Sequence, residues 1–242
     1  MRGRKIGVWA WVLLVLPGVL TSAWADDLND FIKSRTYLGG FASLTNIDSG
    51  GDFNGGWGFS TASGDEIDLV PTIDRNFGWG VLAGHREGAY AAEVSYWRTE
   101  HNATWGPNAF FGTTSYGTAS YQSLNVDFKR YFFTQLATQP YFSLGVSFPW
   151  LVTHQASAWN TPSGYFFSDS TIAGVGFNFG VGLEIYLGPN YSIFGNIVQR
   201  WAGYNQINGA LKQPNSTQFN GQDVNLEGDG INFSVGASFG FE

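Results

Sequence analysis

Strict alternation of large apolar residues with glycine and serine is the feature that most limits how this chain can fold. It is clearest over Ile231–Phe241. There Ile231, Phe233, Val235, Ala237, Phe239 and Phe241 share one face, and Asn232, Ser234, Gly236, Ser238 and Gly240 share the other. Val175–Leu187 repeats the pattern, with Val175, Phe177, Phe179, Val181, Leu183, Ile185 and Leu187 against Gly176, Asn178, Gly180, Gly182, Glu184 and Tyr186. Phe142, Leu144, Val146, Phe148 and Trp150 alternate with Tyr141, Ser143, Gly145 and Ser147, and Leu124, Val126 and Phe128 with Asn125, Asp127 and Lys129. A period of two marks a sheet whose faces meet different surroundings.

The second face decides which surroundings. In a soluble sandwich the apolar face packs a core, and the wet face is charged and bulky. Here the second face is mainly Gly and Ser. Small residues suit the crowded inside of a narrow closed barrel, whose large apolar face then turns outward to lipid. The composition agrees, with 33 Gly, 17% aromatic residues and only 13% charged residues. Strands of about ten residues also fit a bilayer crossing better than the five or six usual in globular sheets. The expected fold is all-β, a transmembrane antiparallel up-and-down β-barrel.

Spacing predicts strands near 35–43, 76–85, 89–99, 118–131, 140–151, 172–187, 191–202 and 229–241. The links His85–Gly88, Phe132–Gln139 and Gly188–Asn190 are short. Those near 44–75, 100–117, 152–171 and 203–228 are long and rich in Gly, Ser, Asn and Asp. Such alternation fits long external loops and short periplasmic turns. Eight strands with both termini periplasmic is the simplest count. Segment 44–75 is long for a structureless loop, so it is expected to carry a hairpin extension or, in a ten-strand alternative, another strand pair.

The N-terminus supplies the route. Arg2, Arg4 and Lys5 precede an apolar run from Ile6 to Leu20, and Ala23-Trp24-Ala25 is a small-x-small cleavage site. The run is shorter than the ~20 residues of a spanning helix, which makes 1–25 a secretory signal peptide. Residues 26–242 then form a single outer-membrane β-barrel domain, exported to the outer membrane of a Gram-negative bacterium.

Several segments carry a family resemblance: Thr36-Tyr-Leu-Gly-Gly-Phe41, Gly80-Val-Leu-Ala-Gly-His85, Phe128-Lys-Arg-Tyr-Phe132 with Pro140-Tyr-Phe-Ser-Leu-Gly-Val146, Gly176-Phe-Asn-Phe-Gly-Val-Gly-Leu-Glu184, and the last strand. On these the chain resembles the small outer-membrane barrels grouped with the OmpA transmembrane domain, OmpX and the opacity proteins. The resemblance covers most of the mature chain and implies a barrel. It also implies biogenesis by the barrel-assembly machinery, which reads a C-terminal aromatic residue. Glu242 follows Phe241 here, so the in-phase Phe239 and Phe241 take that role. No soluble peptidoglycan-binding domain follows the barrel.

Other chemistry is scarce. With no Cys there is no disulfide framework, thiol nucleophile or thiolate zinc site. A net charge of −7 argues against nucleic acid as a partner. His85 falls in a periplasmic turn, and His101 and His154 in external loops; none is spaced for a zinc-protease helix. His154 with a nearby Ser could imitate a lipid hydrolase, but no spacing ties such a set together. Gly174-Val-Gly176 with Gly180 lies inside a strand, without the helix a dinucleotide loop needs. No catalytic residue, cofactor or metal is assigned.

Alternation places Glu93, Asp127, Lys129, Glu184 and Arg200 on the inner face, where charges must pair. A plug and an ion gate are both open to such a network. Arg200 is expected to pair with Glu93, Glu184 or Asp127. Trp79, Tyr96, Trp97, Trp150 and Trp201 are expected in the interfacial girdle. External loops carry Asp65-Glu66-Asp68 and Asp223/Glu227/Asp229, open to divalent cations, and the aromatics Trp57, Trp105, Phe110, Phe111 and Trp159. The expected role is non-enzymatic, structural or surface-interaction (adhesion-like), with outer-membrane lipid and lipopolysaccharide as partners. A narrow channel for small or hydrophobic solutes, as in OmpW-like barrels, is the alternative. A lipid-modifying enzyme is the third.

Overall fold

Residues 34–47, 58–60, 66–68, 71–105, 115–155, 166–212 and 219–241 are described by the computed structural model. Twelve strands follow in chain order: β1 (Ser34–Asn46), β2 (Gly58–Ser60), β3 (Glu66–Asp68), β4 (Thr72–Ile73), β5 (Asn76–Glu87), β6 (Tyr90–Trp105), β7 (Ser115–Tyr131), β8 (Thr138–Gln155), β9 (Phe166–Tyr186), β10 (Tyr191–Lys212), β11 (Phe219–Glu227) and β12 (Gly230–Phe241). Eight of them form the wall. Each pairs antiparallel with its neighbour in the order β1-β5-β6-β7-β8-β9-β10-β12, and β12 returns to β1. The fold is an all-β, closed, up-and-down antiparallel barrel of eight strands. The additional pair, β2 with β3, is a separate two-stranded sheet within the 44–75 link. Among the described residues that link adds no further wall strand, only the last three residues of β1 and the short β4. β4 lies on β6, and β11 on the outer part of β10.

The registers set the barrel's shape. Following paired residues from Thr36 through His85, Ala92, Phe128, Leu144, Phe179, Gln199 and Ile231 returns to β1 at Asn46, ten residues further along. Eight strands with this stagger tilt by roughly 40° and enclose a lumen that side chains nearly fill.

Much of the inner glycine follows from that crowding. Tyr37 lies opposite Gly84, Phe41 opposite Gly80, Tyr141 opposite Gly182 and Phe194 opposite Gly236. A side chain at any of these glycines would overlap the facing ring. The outward face carries Leu38, Val81, Val94, Val126, Leu144, Phe179, Ile193 and Val235, all exposed. An exposed apolar surface on every wall strand is the lipid face of a spanning barrel. No helix among the described residues is long and apolar enough to cross a membrane.

Trp79, Tyr96 and Trp150 form a run of ring contacts on the outer face, edge-on at 6.1 Å and tilted at 6.2 Å, and Trp201 stacks on Phe177. Trp97 is different. Adjacent strand residues face opposite ways, so Trp97 points inward and is 1% exposed, a correction to its expected place in the girdle.

Three short turns close the short-link end, two of them with a residue in the left-handed region. β5 and β6 join through Gly88, whose φ of 56° lies in the left-handed region that glycine adopts freely. In the β7–β8 turn Phe133 takes φ 53°, a costly conformation for a bulky residue. Its carbonyl accepts from Leu136 N–H at 2.9 Å, and the Gln139 amide donates to the carbonyls of Thr134 and Leu136 at 3.0 and 2.9 Å.

At the far end the strands outrun their expected bounds. β6 continues to Trp105, β8 to Gln155 and β10 to Lys212, and β9 begins at Phe166. Pairing continues in water where no apolar face is needed, so loss of alternation is a poor marker of where a strand ends.

Candidate functional site

The lumen gathers the chain's buried charge into three tiers. At the short-turn floor, Arg86 Nη2 donates to Gln139 Oε1 at 2.6 Å and another guanidinium nitrogen to the Tyr186 hydroxyl. Its guanidinium lies 3.9 Å from the Tyr131 ring centroid. Gln139 holds the β7–β8 turn, so the floor and that strained turn form one network. Arg35 Nη2 meets Glu184 Oε1 at 3.0 Å, and Ser192 Oγ donates to the same oxygen at 2.6 Å.

Above the floor, Lys129 Nζ donates to Glu93 Oε2 at 2.5 Å and the Tyr37 hydroxyl donates to the same oxygen at 3.0 Å. Both charged side chains are buried. Lys129 also lies 4.9 Å from the Tyr141 ring centroid. Glu93 and Asp127 are direct cross-strand partners, an unfavourable like-charge pairing that the adjacent Lys129 offsets.

The third tier is built on Arg200. Its Nε donates to Asn178 Oδ1 at 3.2 Å, its Nη1 to the Tyr121 hydroxyl at 2.7 Å, and its guanidinium sits 4.3 Å from the Trp97 ring centroid. Asn178 Nδ2 in turn donates to Asp127 Oδ1 at 3.4 Å. The expected carboxylate partner of Arg200 is corrected here. Arg200 forms no ion pair with a described residue and reaches Asp127 only through Asn178. The reason is competition: Lys129 holds Glu93, and Arg35 holds Glu184.

All five proposed charges, Glu93, Asp127, Lys129, Glu184 and Arg200, thus line the lumen, but in separate tiers. Arg35 and Arg86 belong to the same lumen and are absent from that sequence-derived set. Continuing the period of two from Gly39 to Arg35 and from Gly84 to Arg86 finds them. Each of the four buried cations lies over an aromatic ring, a contact that is favourable when desolvated.

Between the Lys129 and Arg200 tiers lies a cavity of about 40 Å³, bordered by Glu93, Asp127, Lys129 and Arg200. Two voids of about 10 Å³ flank it, one beneath Asp229 and one beside Tyr131. The central one is polar and roomy enough for a few waters, and Trp97 Nε1 and Asn196 Oδ1 on its border have no protein partner.

His154 Nδ1 lies 2.9 Å from Asp169 Oδ2, both largely exposed. His101 is corrected from loop to strand. It is an inward residue of β6, 1% exposed, with Nδ1 2.5 Å from the Asp74 carbonyl. His85 is the outward third-from-last residue of β5, near Thr36 and Ser34, rather than part of a turn. Gly174, Gly176 and Gly180 lie within β9. Asp65, Trp57, Phe110, Phe111 and Trp159 lie outside the described residues, as do the side chains of Glu66, Asp68, Asp223, Glu227 and Trp105. Among the described residues no group of three or more His, Asp or Glu is placed to hold a metal ion.

The Arg200 tier makes a separable prediction. Arg200→Ala and Tyr121→Phe are each expected to cost about 1–3 kcal/mol in urea unfolding, with the double variant short of additive by ~0.5–3 kcal/mol. Arg200→Ala with Glu184→Gln is expected to be additive. Coupling of Arg200 to Glu184 above about 1 kcal/mol would overturn the tier assignment.

Solved structures match the barrel over most of its length. A major outer membrane protein from Thermus thermophilus gives a TM-score of 0.51, covering 86% of this chain and 99% of that one at 11% identity. The outer membrane protein OprG from Pseudomonas aeruginosa gives 0.50, covering 87% and 96% at 14% identity. Neisserial surface protein A gives 0.49, covering 85% and 97% at 15% identity. No protein-family model and no curated protein matches the sequence. At such identities likeness speaks to architecture, and the architecture agrees with the resemblance drawn from the motifs: the chain has the fold of the small eight-stranded outer-membrane β-barrels.

Proposed function

We propose that this chain is a non-enzymatic integral barrel of a Gram-negative outer membrane, closed to solutes, with a structural or surface-interaction (adhesion-like) role. The closed lumen carries the proposal. Among the described residues its voids are small, and the hydrogen-bonded charges Arg200, Glu93 and Lys129 stand between them. Strand length supports a surface role. A crossing needs about 9–11 residues, whereas β9 and β10 have 21 and 22, so roughly half of each rises beyond the lipid band, with β11 alongside. Export uses the signal segment 1–25, which lies outside the described residues. The partners are outer-membrane lipid and lipopolysaccharide and, during assembly, the barrel-assembly machinery acting on the β12 end with Phe239 and Phe241.

In planar bilayers the purified barrel is expected to show no steady single-channel conductance. A reproducible conductance would overturn the closed lumen and favour the narrow channel for small or hydrophobic solutes. Hydrolysis of lipid A or phospholipid by the purified barrel would overturn the non-enzymatic role.

A further inference from the structure

The lipid-facing wall is not uniform. An apolar groove of about 560 Å³ runs over its β9–β10–β12 side, and no charged residue lines it. Its centre is Gly195, flanked along β10 by Ile193 and Ile197 and across the sheet by Leu183 and Val235. The fold does not require glycine there. A Cβ at Gly195 would meet nothing closer than the Ser234 carbonyl at 3.7 Å, and the backbone is not left-handed. At Gly80, Gly84, Gly182 and Gly236 a Cβ would collide, so those inner glycines are imposed by packing. A glycine inside a strand forgoes packing and side-chain area, and marks a place where something else approaches the backbone.

Depth identifies the occupant. Ile185 is the penultimate residue of β9 and Ile193 the third residue of β10, both at the short-turn end. From there the groove climbs to Ile197 and Phe233. With about ten residues per crossing, it covers the periplasmic half of the wall. An uncharged, mainly apolar furrow spanning one leaflet matches a single hydrocarbon chain lying along it. We propose that the groove over Gly195 holds one acyl chain of a phospholipid from the periplasmic leaflet. The proposal rests on the outward face being lipid-facing.

The test uses the whole barrel in mild detergent with palmitoyl-oleoyl phosphatidylethanolamine, its intact mass then measured in the gas phase. The parent is expected to carry a phospholipid. Gly195→Phe, which fills the hollow, is expected to lose it. Ala83→Phe, which adds the same ring to the outward face of β5, is expected to keep it. Lyso-phosphatidylethanolamine, with a single chain, is expected to displace the phospholipid. Folding is checked by the mobility difference between unboiled and boiled samples. If Gly195→Phe does not fold, Val235→Trp on the groove's rim replaces it. Equal retention by parent and groove variant overturns the proposal. So does a parent dimer that the groove variant abolishes, since the face would then belong to a second copy. Failure of the membrane reading looks different: a parent in the soluble fraction with identical boiled and unboiled mobility.

Discussion

Glu93→Ala is expected to destabilise the barrel by about 3–5 kcal/mol, because it leaves the Lys129 ammonium buried without its counter-ion. Lys129 is 5% exposed and Glu93 6%, so bulk solvent is excluded from the pair and only the few waters that the bordering cavity can hold come near it. The same substitution removes the acceptor of the Tyr37 hydroxyl, whose ring lies over Gly84. The measurement is urea unfolding in phospholipid or detergent micelles, followed by tryptophan fluorescence and by the mobility of unboiled samples. Lys129→Met combined with Glu93→Ala is expected to recover part of the loss, since a buried pair replaced on both sides no longer strands a charge. A Glu93→Ala loss under about 1 kcal/mol would mean that the pair is hydrated, as exposed ion pairs are.

Val181→Arg tests the opposite face, with an expected loss of about 2–4 kcal/mol for a charge near the bilayer midplane. Val181 is outward on β9, opposite Phe142 and Ile197, with Phe179 and Leu183 next on the same face. An arginine there has only hydrocarbon around it. Neighbouring Gly180 faces inward, where a Cβ would crowd Ser143 Oγ at 2.5 Å and Val198 at 3.0 Å. Gly180→Val is therefore expected to fail through overlap, and in a soluble micelle as readily as in lipid. Val181→Arg is expected to be worst in lipid. Insertion of Val181→Arg with parental stability would show that β9 does not face hydrocarbon.

Which residues face in and which face out is legible along each strand. Facing depends on a period of two between neighbours in sequence, and that alone puts Glu93, Asp127, Lys129, Glu184 and Arg200 inward. The same rule, applied consistently, sends Trp97 inward, because Tyr96 beside it is outward. Arg86 is hidden by a turn assigned two residues early, and Arg35 lies at the very start of its strand. The short-turn ends of the strands are legible within a few residues, since Gly88 and the Gly188-Pro189-Asn190 segment stop a strand by their backbone chemistry. The outer ends are not, because hydrogen-bonded pairing in water leaves no lipid-facing apolar signature.

The sequence by itself determined a closed barrel with an apolar outside and a small, polar inside, and left eight or ten wall strands open, which the structure resolved to eight. Those properties follow from local alternation and from link lengths. Only the tertiary structure decided which buried charges meet. Arg35 of β1 reaches Glu184 of β9, and Arg200 of β10 reaches Tyr121 of β7, across the lumen between strands that are not neighbours in the wall. Such contacts depend on the ten-residue stagger accumulated around the closed sheet, and no single strand or hairpin carries that quantity. Packing also decided that Gly195 would be a hollow rather than a point of contact, because its surroundings come from β9 and β12, which pair with β10 on either side.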